Sequence, residues 1–334
     1  MDLFELTRKL IDVPSVTGYE GEVGKFLELY LKSLGYAVQQ QRVTDDRFNV
    51  FAMAGTPRVV FSTHMDTVPP HIGSSEDNDY IYGRGACDAK GIIAAQVQAA
   101  ENLRRRGLTD IGLLFTVDEE MGSLGAQLAN NDTAAKASCY LINGEPTDNK
   151  LASGTKGSLR CLLSTSGRSA HSAYPEHGSS AIDALLDVLE SIRECQWPVD
   201  EEFGDTTCNI GVIAGGRRPN VIADEARAEL QIRLATGVAP VREMLDCAIA
   251  GRANIEIQSA HEPIRLYTVP GVEQCVVRFT TDIPYLSNWG KALLIGPGSI
   301  LDAHTDHERV RKDELLTAVE LYASLGEQLY AASC

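Results

Sequence analysis

Residues 58–66 read RVVFSTHMD, a run of β-branched and aromatic side chains that stops at two ionisable ones. The same pattern returns at 111–120, IGLLFTVDEE, and at 138–146, SCYLINGEP. Short, nearly unbroken apolar runs fit strands buried on both faces, not strands with one wet face. Between the first two lies IIAAQVQAAENLRRRG (92–107), with apolar residues at helical spacing and Gly107 as its stop. Strand, helix and strand in alternation predict an α/β fold, a mainly parallel sheet covered by helices. Upstream, EGEVGKFLELYLKSL (20–34) reads as a helix stopped by Gly35, and MDLFELTRKLIDVP as a helix ended by Pro14.

The pattern changes near 157. GSLRCLLST, SSAIDALLDVLESIREC, TTCNIGVIAGG, EARAELQIRL, PVREMLDCAIAG and ANIEIQSA give the order β-α-β-β-α-β. That is the ferredoxin-like split unit. It predicts an inserted α+β domain over 157–262. KALLIGPG (291–298) and a helix over 313–332 then rejoin the first domain, 1–156 and 263–334.

The chain has 334 residues, and 30 basic against 46 acidic side chains leave a net charge of −16. A nucleic-acid or anionic-membrane surface needs basic patches, so neither partner is expected. No run reaches 18 apolar residues, which excludes a helical membrane span. Eight scattered Cys without a C-x-x-C pair suit a reducing compartment, and the N-terminus lacks the pattern of a signal peptide. A cytoplasmic, soluble protein is the expectation.

Several apolar runs end in chemistry: His64 and Asp66, then Asp118, Glu119 and Glu120, then Glu145, with His304 after the last run and Asp88 in a glycine-rich turn before a helix. In an open α/β sheet the carboxyl ends of the strands line one crevice. Acids converging there repel unless a cation holds them, and His with carboxylate suits zinc or a cobalt-like ion. Each residue alone has an ordinary reading. His-x-Asp is a common loop pair, Glu119–Glu120 could decorate a helix N-terminus, Asp88 could be an N-cap, and Glu145 could be a turn acid. His304 has a rival in His307. Competing motifs fail: Asp88 replaces the third glycine of a dinucleotide fingerprint, and there is no P-loop, G-x-S-x-G or H-E-x-x-H.

FSTHMDTVPP, YGRGACDAKGIIAAQ, TVDEEMGSLGA, INGEPT and GPGSILDAH together resemble the signature blocks of the M20 family of di-zinc metallopeptidases. Within it, the nearest likeness is to acetylornithine deacetylase and succinyl-diaminopimelate desuccinylase. The resemblance implies two divalent ions, zinc first and cobalt second. His64, Asp88 and Glu145 would hold one, and Asp88, Glu120 and His304 the other. It implies Glu119 as general base, Asp66 as the orienter of His64, and His171 as a lid histidine near the scissile carbonyl. Asn220 and Arg233 match lid positions near a substrate carboxylate. The lid would pair two chains into a homodimer, with His171 serving the neighbour's site. After His304 the family often continues Pro-Asp-Glu; here the residues are Asp306-His307-Glu308. His71, His177 and His261 match nothing, and Cys87 reads as a small packed residue.

The function expected is removal of the acyl group from an N-acyl amino acid, with N2-acetylornithine in arginine biosynthesis foremost. Desuccinylase, acyl-lysine or acyl-citrulline hydrolase, aminoacylase and dipeptidase are the alternatives. A non-catalytic metal-binding protein on the same fold is the rival of another class. Glu119 argues against it, because a binder has no use for an unliganded acid beside the water.

Overall fold

A computed structural model describes all 334 residues. Two compact units divide the chain. Unit 1 comprises Met1–Ser153, Leu266–Cys275 and Thr281–Cys334; unit 2 comprises Gly154–Arg265 and Val276–Thr280. The insertion expected over 157–262 lies inside unit 2, whereas the short return Val276–Thr280 has no signal of its own in the sequence.

Unit 1 is built on a six-stranded sheet. Its strands are β1 (Ala37–Arg42), β2 (Phe48–Met53), β3 (Val59–His64), β4 (Ile111–Thr116), β5 (Tyr140–Asn143) and β10 (Lys291–Leu294), in the spatial order β1-β2-β4-β3-β5-β10. The last four of that order run parallel. β2 joins β4 antiparallel, and β1 joins β2 antiparallel. Every residue of β3 and β4 is buried, as unbroken apolar runs require. Helices α1 (Leu3–Asp12), α2 (Gly21–Ser33), α3 (Lys90–Arg105) and α7 (Lys312–Ala331) cover one face through Leu10, Leu27, Ile93, Leu103 and Tyr322 against Phe61 and Phe115. The six-residue α4 (Leu124–Ala129) and Trp289 cover the other, around Phe51, Val60 and Leu114. α1 starts where Asp2 accepts from the Glu5 amide at 2.8 Å, and it ends before Pro14.

Unit 2 is a four-stranded antiparallel sheet. β6 (Gly157–Ser166) and β8 (Glu225–Leu234) are central, and β7 (Thr207–Gly215) and β9 (Asn254–His261) are the edges. Alternate residues of β8 are buried, so one face packs on α5 (Ala181–Arg193) and α6 (Val238–Ile249) through Leu185, Leu189, Leu230, Ile232 and Leu245.

Scatter in sequence does not carry into space for one cysteine pair. Cys139 and Cys334, 195 residues apart, are disulfide-bonded with Cα atoms 5.2 Å apart, a normal separation. The neighbouring Ser333 and Ala332 carbonyls accept from Tyr140 Oη and from Arg58. The six remaining thiols are free. No helix is long and apolar enough to cross a membrane.

Candidate metal centre

The site residues of unit 1 sit where the parallel strands end. His64 closes β3 and is buried. Its Nδ1 lies 2.9 Å from the backbone carbonyl of Asp66, which as an acceptor assigns the proton to Nδ1 and leaves Nε2 facing Asp88 Oδ1 at 2.9 Å. The Asp66 carboxylate, expected to orient this ring, lies at ion-pair distance from it, 3.6 Å from Nδ1, and the shorter contact is made by the Asp66 carbonyl. The carboxylate accepts from Thr17 Oγ1 at 2.9 Å and from the amides of Glu119 and Glu120 at 3.1 and 3.2 Å. Asp66 therefore holds the ring with its main chain and the acid pair with its side chain.

Asp88 ends the turn Gly83–Asp88 and does not cap α3 through its side chain. One oxygen faces His64; the other lies 3.3 Å from His304 Nε2. Glu119 and Glu120 belong to a turn that opens at Asp118 (φ 74°) and closes at Ser123 (φ 53°). Asp118 is pinned by Arg47 at 2.6 Å, and Arg47 also grips Glu20 with two bonds. Glu120 Oε1 lies 3.0 Å from His304 Nε2. His304 takes a left-handed backbone (φ 61°) that turns its ring toward the acids, whereas His307 is exposed and meets neither. Adjacent residues on one turn diverge, so Glu120 reaches His304 while Glu119 is left to another task.

The electrostatics suit a cation. Ligand atoms of His64, Asp88 and Glu120 lie within 4.8 Å of one another, and His304 joins through the last two. Glu145, after β5, is 4% exposed, and its Oε1 has no hydrogen-bond partner. Buried carboxylate oxygens are rarely orphaned unless an ion or water completes them. Burial, then the charge of Glu145, pushes Glu119 well above the usual carboxylate range. Burial also raises Glu145 against the pull of His64. Burial alone would discharge His64, but the Asp66 carboxylate beside the ring and the contact with Asp88 hold its pKa well above the ordinary value. The bonds to Asp88 and Glu120 raise His304 to about 10. Without an ion, the cluster balances its charge with protons on its own ligands, and a divalent ion would displace them.

Unit 2 holds the other three candidates. His171 is exposed on its loop, and its Nδ1 accepts from the Ala173 amide at 3.1 Å, which leaves Nε2 unengaged. The loop is bridged to Val221, and Ser172 donates to the Asn220 carbonyl at 3.1 Å, so His171 and Asn220 stand together. Arg233 does not join them. It lies opposite Ser158 and Thr207, near the far end of β8. Asn220 precedes β8, and Arg233 follows its start by eight residues, roughly 26 Å at about 3.3 Å each. Arg233 is half-buried without an ion-pair partner, and that burial lowers its pKa.

Two buried acids escaped the sequence reading. Glu308 accepts from Arg84 and from three amides of the Asp88 turn. Asp282 accepts from Thr116 Oγ1 at 2.8 Å, and burial pushes it up to about 6. The one available signal was the position of Glu308, four residues after His304.

A family model described as peptidase family M20/M25/M40 matches residues 60–328. A peptidase M20 domain-containing protein of Schizosaccharomyces pombe is 37% identical over 333 residues, covering 96% of this chain and 83% of that one. A probable carboxypeptidase of Aspergillus niger is 36% identical over 365 residues, covering 96% and 88%. Among solved structures, a Staphylococcus aureus tripeptidase superposes with a TM-score of 0.81 at 20% identity, covering 99% and 98%. A Bacillus subtilis protein described as a dinuclear metal-binding peptidase gives 0.72 at 15%, covering 98% and 97%. At those identities the structural likeness speaks for the fold.

Proposed function

The chain belongs to peptidase family M20/M25/M40, and from that membership we propose a two-metal amidohydrolase that splits the amide between an acyl group and an amino acid with a free carboxylate. The observation that carries this reading is Asp88, whose two oxygens each face a histidine. His64, Asp88 and Glu145 would hold one ion, and Asp88, Glu120 and His304 the other. Zinc suits the donors best, and cobalt is the second choice. Such a pair would supply polarisation of an amide carbonyl and a more acidic water. Glu119 would accept a proton from the attacking water and return it to the leaving amine. Asp66, by holding both amides of the acid pair, keeps Glu119 and Glu120 in their separate roles.

The substrate class follows from the lid candidates and the relatives. Arg233, half-buried and unpaired, suits a substrate carboxylate. Several relatives are named probable carboxypeptidases. A short peptide and an N-acyl amino acid present the same scissile amide. N2-acetylornithine, of arginine biosynthesis, is the individual compound that the GPGSILDAH block favours. The six free thiols accord with a cytoplasmic enzyme, and the Cys139–Cys334 bond is the one feature that does not.

The separation within unit 2 bears on assembly. One copy of this sheet cannot bring both the His171–Asn220 loops and Arg233 to a single small substrate. If all three serve one site, they come from two chains. We therefore read the protein as a homodimer in which His171 and Asn220 act on the partner's substrate. The edge strand β7, with Val212 and Ile213 exposed, offers a surface for such pairing.

The test is a hydrolysis screen of metal-stripped protein reconstituted with zinc or cobalt. N-acyl amino acids, dipeptides and tripeptides are offered with a free or an amidated C-terminus. Turnover of the free-carboxylate series, lost on amidation and on chelation, is expected. Full activity in rigorously metal-free protein would overturn the proposal.

A further inference from the structure

Glu308 is fully buried, and nothing in the chemistry above uses it. Its Oε2 accepts from Arg84 Nη1 at 2.6 Å. Its Oε1 gathers the amides of Gly85, Asp88 and Cys87 at 2.9, 3.2 and 3.3 Å. Its oxygens are thus committed to the turn that ends in Asp88, and they are not aimed at an ion. The stitching runs both ways. Arg84 also donates to the Thr305 carbonyl at 3.1 Å, and the Gly83 amide donates to the Glu308 carbonyl at 3.0 Å. One stitched segment carries Asp88; the other carries His304. A buried carboxylate is strongly disfavoured without such partners, so the unit holds together or fails together.

We propose that Glu308, with Arg84, is a positioning residue of the metal centre that sets the spacing of Asp88 and His304 and thereby the affinity for the ion they share. The proposal rests on the ligand assignment above. It separates two roles that a short motif merges: His304 meets the ion, and Glu308 determines where His304 and Asp88 stand. Partners beyond the ligands typically change metal affinity by about 10–100-fold when removed.

The experiment titrates metal-free protein with cobalt(II), following the visible spectrum and the bound stoichiometry, alongside the melting temperature without metal. Glu308→Gln keeps the volume and one acceptor oxygen but places an N–H against Arg84. It should weaken the ion shared by Asp88 and His304 by about 10–100-fold, weaken the other, which Asp88 also holds, by less, and alter the cobalt spectrum. Glu308→Asp, which restores the charge on a shorter stem, should recover part of the loss. Arg84→Lys, which keeps the charge but not the guanidinium that bonds Glu308, Thr305 and Pro70, carries the same test if Glu308→Gln does not fold. A variant that melts earlier yet binds two cobalt ions with unchanged affinity and spectrum would overturn the proposal alone. Wild-type protein that binds no cobalt would overturn the ligand assignment, and this proposal with it.

Discussion

The ligand cluster of unit 1 and the His171–Asn220 loops of unit 2 are built in opposite ways. In the cluster, His64, Glu120 and Asp88 each lean on a second group. His64 rests on the Asp66 carbonyl, the Glu119–Glu120 amides on the Asp66 carboxylate, and Asp88 on Glu308. Most of these groups are buried. His171 has one backbone partner for its ring and stands in solvent. An ion accepts ligands only within a few tenths of an ångström, so its site must exist beforehand. A group that meets a substrate from a loop can adjust to what arrives. Burial and paired support mark the candidate metal centre, and exposure marks the loops proposed to read the substrate.

The sharpest way to break this contrast is at Asp88. Asp88→Ala should lose both ions and lower activity by at least about 10³-fold, the several kcal/mol that metal assistance supplies. Asp66→Ala should keep more metal, because it removes a support and not a ligand. Equal metal content in the two variants, by elemental analysis, would erase the distinction. Glu119→Gln should hold both ions while kcat falls about 10²–10⁴-fold, the usual weight of a general base. Loss of metal in parallel would move Glu119 among the ligands.

His171→Ala tests the other region. Metal content should not change, and kcat should fall about 10²–10³-fold, as for other single donors to an oxyanion. Mixing it with Glu119→Gln under subunit exchange should restore activity, because hybrid dimers contain one intact site. A fully active monomer, or a silent His171→Ala, would remove the two-chain reading.

The smallest effect concerns Lys90, which burial lowers to about 7 while it donates to the Val13 carbonyl at 2.7 Å. Between pH 7 and the ordinary lysine range, the unfolded chain keeps a proton that the folded chain has released. Stability of metal-free protein should therefore rise with pH there, by at most about 1.4 kcal/mol per pH unit, and this contribution should level off below pH 7. In Lys90→Met the slope should shrink when followed by denaturant unfolding. Identical slopes in both proteins would show that Lys90 is charged at both ends of the range.

The sequence made the inner strands plain because β3, β4 and β5 are buried throughout and need no polar face. β1 stayed hidden because AVQQQR reads as polar; Gln39 and Gln41 find their partner in Asp132, about 90 residues away. The candidate ligands His64, Glu120 and Glu145 stood out as residues that end apolar runs. Their supports did not, because Glu308 and Asp282 acquire meaning only from amides and hydroxyls that folding brings to them. The separation of Asn220 from Arg233 was hidden too. Thirteen positions look like neighbours on paper, but an extended strand carries them apart.

The order of the segments also has a temporal side. β9, the last strand of unit 2's sheet, ends at His261, and His304 follows 43 positions later. Domains generally fold as units while the polypeptide emerges from the ribosome, amino end first. The inserted sheet can therefore close while Asp88 and Glu120 still lack the histidine that faces them. On the ligand assignment proposed above, an ion at the shared position would load only after the segment through Glu308 has left the exit tunnel, late in the life of each new molecule.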